Sequence, residues 1–86
     1  MNIENTDTIH KLNTLDEETL TKVFDAYYPE IYRYILMMVN QEAVAEDLSS
    51  EVFLKLLEKV QAGKGPRKSI RAWLYKVAHN TCVDHS

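Results

Sequence analysis

The chain has 86 residues, a formal net charge of −3, 45% apolar residues, and only two glycines and two prolines. That length allows one domain with a single modest core and little room for a catalytic cleft between layers. Membrane insertion is not expected, because no stretch is long and apolar enough to span a bilayer. The opening residues have neither a basic start nor an apolar run, and the lone Cys82 cannot close an internal disulfide, so a cytoplasmic protein is the expectation.

Residues 1–13 are polar and weakly patterned and read as a flexible leader, with a helical domain over 14–86. Thr14 and Glu17 have the spacing of a capping box, in which a hydroxyl accepts from an early helical amide and the acid reaches back. The helix that follows carries Leu20, Val23, Phe24 and Tyr27 on one face. Pro29, with no amide to bond back, predicts a kink or a new start, and a second segment over 29–39 carries Ile31, Tyr34, Ile35 and Met38 at helical spacing. Asn40 can end one helix or cap the next. Over 42–61, Val44, Leu48, Val52, Leu56 and Val60 recur every four residues, supplemented by Ala45, Phe53 and Leu57, which predicts a strong amphipathic helix. Its opposite face presents Glu46, Asp47, Ser50, Glu51, Leu54 and Glu58. Residues 61–68 break the pattern and form a basic loop, and Ser69 is positioned to cap a last helix whose apolar face is Ile70, Trp73, Leu74, Val77 and Ala78. The fold class is therefore all-α, a compact bundle of about four helices joined by short connections.

Charge divides along the chain. Acids dominate as far as Val60; beyond it Lys64, Arg67, Lys68, Arg71 and Lys76 face a single acid, Asp84. One end can therefore meet a basic protein surface while the other meets phosphates, although an uneven solvated surface gives the same pattern.

Catalytic constellations are not found. His79, Cys82 and His85 are too few to close a zinc site, and Cys82 beside His79 is most simply a packing cysteine. Gly63 and Gly65 do not precede the residues a phosphate-cradling loop requires. No enzyme activity, metal or cofactor is expected.

Two blocks carry a resemblance. Residues 45–56 (AEDLSSEVFLKL) resemble region 2.2 of bacterial sigma factors, and residues 71–85 (RAWLYKVAHNTCVDH) resemble regions 2.3 and 2.4, especially of the extracytoplasmic-function (ECF) group. Phe24, Tyr28 and Tyr32 with the apolar residues after them are similar to the less specific region 2.1. The resemblance implies a sigma region 2 bundle that binds core RNA polymerase and captures the melted minus-ten element to initiate transcription. Polymerase contact, on the beta-prime clamp helices, falls by resemblance to Asp47, Ser50, Glu51 and Leu54; Ser50 stands where the family usually has glutamine. DNA contact with the non-template single strand falls to Lys64, Arg67, Lys68, Arg71, Tyr75, Lys76, His79 and Asn80. Among these, the loop cations, Arg71 and Lys76 would hold phosphates, Asn80 would read a base edge or serve as a local cap, and Tyr75 would stack or pack. His79 replaces a common arginine, and Trp73 is expected in the core. Family members are often held by an anti-sigma factor that covers the polymerase-binding surface. They also continue into a second helical domain that reads the minus-thirty-five element; with no such segment after Ser86, a sigma-factor fragment or an isolated region 2 domain is expected. The alternative is a regulatory protein-interaction bundle that does not touch DNA.

Overall fold

The computed structural model describes residues 4–86, and residues 1–3 of the expected leader lie outside the described residues. Its four helices are α1 (Thr6–Asn13), α2 (Glu17–Val39), α3 (Glu42–Gln61) and α4 (Ile70–His85). Helices α2, α3 and α4 pack on one another in all three pairings, and α1 lies across α2 and α3. Ile31, Ile35, Val52, Ile70 and Leu74 are fully buried at the centre.

The expected leader is largely helical. Asn5 caps α1, its Oδ1 accepting from the Thr8 amide at 2.7 Å. An eight-residue helix is too short to persist by itself in water, so tertiary burial must hold it. Leu12 supplies that burial, with no exposed surface, and Ile9 packs beside it.

The capping box is not formed. Thr14 instead ends α1, its hydroxyl donating to the Lys11 carbonyl, and Asp16 is the cap of α2. Asp16 Oδ2 accepts from the Thr19 amide at 3.0 Å and the Thr19 hydroxyl at 2.7 Å. Leu15 adopts a left-handed conformation between them (φ 60°), with the Leu15 and Asp16 amides returning to the Leu12 and Lys11 carbonyls. Those two bonds form the Schellman closure of α1.

Pro29 does not start a new helix, because α2 runs through it from Glu17 to Val39. Proline deprives the preceding turn of one hydrogen bond. Here the ring is exposed, while Tyr27, Ile31 and Ile35 bury the other side of the same helix. Core packing on both sides of the proline outweighs the missing bond. Asn40 then closes α2 in the left-handed conformation (φ 59°).

Along α3 the buried positions are Ala45, Leu48, Ser49, Val52, Phe53, Leu56 and Val60. The stripe is rotated from the expected one: Val44 is only partly buried and Leu57 is exposed. Helix α3 ends in a second Schellman closure, the Lys64 amide bonding the Lys59 carbonyl at 2.7 Å and Gly63 the Val60 carbonyl at 3.1 Å. Gly63 occupies the left-handed position (φ 74°) that this closure requires.

Candidate polymerase and nucleic-acid interfaces

The loop between α3 and α4 is fixed from below. Gly65 and Pro66 are buried, and Asn13 Nδ2 donates to the Pro66 carbonyl at 2.8 Å and to the Ile9 carbonyl at 2.9 Å. A β-carbon at Gly65 would lie 2.6 Å from Asn13 Oδ1 and 2.7 Å from Val60 Cγ2. Only glycine lets the loop approach α1 this closely. Lys64, Arg67 and Lys68 are consequently turned outward to solvent. Arg67 Nη2 donates to the Gly63 carbonyl at 2.9 Å, whereas Lys64 and Lys68 form no ion pair among the described residues.

Ser69 caps α4 as its spacing predicts, its Oγ accepting from the Ala72 amide at 3.1 Å. The same hydroxyl donates to Glu4 Oε2 at 3.0 Å, and the Arg71 amide donates to the other Glu4 oxygen. A carboxylate at a helix N-terminus compensates the positive end of the helix dipole.

Along α4 the expected DNA residues fall into two rows. Residues four apart stack on one helical face. Arg71, Tyr75 and His79 share the side turned toward α2: Arg71 Nε and Tyr75 Oη both donate to Glu30 Oε1 at 3.0 Å. The Tyr75 ring meets Tyr34 edge-on at 5.1 Å, and the Tyr34 hydroxyl lies 3.4 Å from His79 Nδ1. Lys76 and Asn80 lie one position further round, about 100° away, and are exposed, their side chains making no hydrogen bond or ion pair among the described residues. Asn80 therefore makes none of the local bonds that a cap or crosslink would require. Trp73 is partly buried against the core, and Cys82 is buried, which pushes its thiol above the usual range.

Arg71 is held from three sides. Its guanidinium sits 5.3 Å from the centre of the Tyr27 ring, its Nε is taken by Glu30, and Glu4 occupies its amide. The Glu30 bond and charge together raise the Arg71 pKa above its ordinary value. Tyr27 is pushed up to about 12, first by burial and then by the hydrogen bond of its hydroxyl to Glu4.

The second expected surface lies on α3. Asp47, Ser50, Glu51 and Leu54 are all exposed, Leu54 at 57%. Ser50 is the shared rim of two depressions. One, of about 260 Å³, is apolar and is lined by Leu20, Phe24, Phe53, Leu54, Leu56 and Leu57. The other, shallow and more polar, is lined by Tyr28, Tyr32, Glu46 and Asp47. Phe24, Tyr28 and Tyr32 form a ladder along α2, with stacked rings 5.1 Å and 6.3 Å apart, and Phe53 tilts against Phe24 at 4.9 Å. Phe24, expected on the buried face, is 45% exposed and walls the apolar depression. The aromatic ladder was visible in the sequence as a four-residue spacing. Glu30, Glu4 and Asn13 were not, because a single polar residue carries no periodic signal.

Among the described residues no group of histidine, cysteine or acidic side chains is arranged to hold a metal, and no helix is long and apolar enough to cross a membrane.

Comparison with known proteins gives the family of the chain. The family model for Sigma-70 region 2 matches residues 23–86, well over half the chain, and the protein belongs to that family. It is similar to the ECF RNA polymerase sigma factor BldN of Streptomyces coelicolor, with 34% identity over 81% of this chain and 26% of the relative. The ECF RNA polymerase sigma factor SigX of Bacillus subtilis is 31% identical over 79% of this chain and 34% of the relative. The RNA polymerase sigma factor YlaC of the same species is 31% identical over 78% and 38% respectively. The chain thus spans about a quarter to two fifths of the length of these relatives. No solved structure matches with significance.

Proposed function

We propose that this domain joins core RNA polymerase to promoter DNA, using its α2–α3 face for the enzyme and the α3–α4 loop with α4 for the non-template strand of the minus-ten element. The observation that carries this reading is the division of labour between the two surfaces. An apolar depression lined by Phe24, Ser50 and Leu54, on a helix that also exposes Asp47 and Glu51, suits a basic, amphipathic partner helix. Elsewhere, a loop pinned by Asn13 exposes three cations, and α4 after it exposes Lys76 and Asn80. Relatives that carry the name sigma factor supply the class of partner.

Asp47, Ser50, Glu51 and Leu54 dock on the beta-prime clamp helices, with Phe24 and Phe53 as the apolar floor. Lys64, Arg67, Lys68, Arg71 and Lys76 hold phosphates, Asn80 reads an unstacked base, and Tyr75 and His79 buttress α4. The same polymerase face is the surface an anti-sigma factor would cover, and the domain would act in the cytoplasm, where promoter DNA is found. A pull-down with isolated clamp helices tests the assignment, with a sigma factor of established activity as reference. Retention by the clamp helices and weak preference for single-stranded over duplex promoter DNA are expected. A folded domain that binds neither, where the reference binds both, would instead favour a regulatory protein-interaction bundle.

A further inference from the structure

We infer that Glu30 is a positioning residue for the DNA strand: it holds Arg71 so that the two terminal nitrogens of the guanidinium face solvent as a ready-made phosphate fork. The inference rests on the strand-binding reading of α4 and assigns a part within it to a residue of α2.

An exposed arginine normally samples many rotamers and loses that freedom on gripping a phosphate. Arg71 is restrained by two contacts before any strand arrives. Its Nε donates to Glu30 Oε1 at 3.0 Å, and the guanidinium stands 5.3 Å from the centre of the Tyr27 ring. Tyr27 is itself buried. Neither terminal nitrogen makes a hydrogen bond among the described residues, and the side chain keeps 56% of its exposure. The carboxylate engages the edge of the fork and leaves its end open. That end is the pair of donors that grips a phosphate in bidentate fashion.

Glu30 is also the more sheltered partner, its side chain 33% exposed, and the same Oε1 accepts from Tyr75 Oη at 3.0 Å. Tyr75 is in turn backed edge-on by Tyr34. One oxygen thus registers two positions of α4, Arg71 and Tyr75, against a helix whose opposite side is in the core. An ion pair this exposed adds little to stability because water screens it. Its consequence is geometric.

Two variants of equal charge isolate the effect. Glu30→Gln keeps an acceptor for Arg71 Nε and Tyr75, whereas Glu30→Ala removes it, and both abolish one negative charge near the strand. The probe is a short oligothymidylate, since phosphate contacts do not depend on sequence. Binding is titrated over a range of salt concentrations, with helicity and thermal melting checking the fold. Glu30→Ala is expected to bind roughly threefold to tenfold more weakly than Glu30→Gln, with a salt slope shallower by up to about 0.7, the value of one single-strand phosphate contact. In an Arg71→Ala background the two variants should become equal, because the group being positioned is gone. Equal affinity of the two variants with Arg71 present, or a difference that survives without Arg71, overturns the role of Glu30 and leaves the strand-binding reading standing. Absence of oligothymidylate binding in the parent and both variants, each folded, overturns both.

Discussion

The side-chain amide of Asn13 donates to the carbonyl of Pro66, 53 residues further along the chain and 2.8 Å away. Through that bond a segment with no apparent role in recognition sets the height of the loop that carries Lys64, Arg67 and Lys68. The loop closes over α1 with Gly65 against the Asn13 side chain, so one asparagine supports two consecutive residues of it.

Removing this support should be measurable. Asn13→Ala leaves the buried Pro66 carbonyl without its donor, a loss of about 1–2 kcal/mol. Gly65→Ala drives a β-carbon into Asn13 and Val60 and should cost about 1–3 kcal/mol as overpacking. Thermal melts followed by circular dichroism report both losses. Amide exchange of residues 64, 67 and 68 should accelerate in Asn13→Ala. Unaltered melting and exchange would show that the loop is held by other contacts.

The residues proposed to face polymerase should separate from stability. Asp47 and Glu51 are exposed, and among the described residues the Glu51 side chain makes only an ion pair of 3.7 Å with Lys55 one turn on. The double substitution to alanine is therefore expected to leave helicity and melting almost unchanged while weakening clamp-helix binding by ~2 kcal/mol or more. Ser50→Gln, which restores the longer amide usual in the family, should preserve or tighten binding. Surface-bound clamp peptides give the affinities directly. An unaltered affinity in the double variant would move the interface elsewhere.

Asn80→Ala probes base reading. Because the side chain has no bond to lose among the described residues, melting should be unaffected. Affinity for a cognate non-template strand should fall toward that for base-substituted strands, by about 1–3 kcal/mol for one lost base contact. The salt slope should not change. Equal weakening on every strand would make Asn80 a nonspecific contact.

Alkaline pH offers a fourth test. Tyr27 has a folded pKa of about 12, raised from the ordinary 10, so the folded protein keeps its proton where the unfolded chain has released it. The resulting stability is complete below pH 10 and is lost as pH rises toward 12. Denaturant midpoints measured across that window should fall for the parent and fall less steeply for Tyr27→Phe. Parallel profiles would mean that other groups govern the alkaline limit.

Long periodic segments were legible in the sequence, and short or cross-chain features were not. Helix α3 is found over the residues its apolar repeat predicts, and Ser69 caps α4 as expected. Helix α1 has no period in the sequence, because Ile9 and Leu12 are its only apolar residues; burial by other helices creates it. The capping box gave way to Asp16 once Thr14 was committed to closing α1. Pro29 on its own predicts a kink or a new start, but the core residues on either side carry α2 through it. The bundle still counts four helices, since one unexpected helix replaces one expected break. For the residues of α4 proposed to meet DNA, the sequence shows which are polar but not how they divide into rows. Only the packing of α4 on α2 shows that Arg71, Tyr75 and His79 are braced while Lys76 and Asn80 stand free.

The bonds from Asn13 to Pro66 and from Ser69 to Glu4 join positions 53 and 65 residues apart. Those bonds need residues 66–71, whereas α2 and α3 are complete by Gln61. The α2–α3 hairpin can therefore assemble while the rest of the chain is still being made. The basic loop and the head of α4 acquire their final form only after nearly the whole domain has left the ribosome, so the surface assigned to DNA matures later than the surface assigned to polymerase.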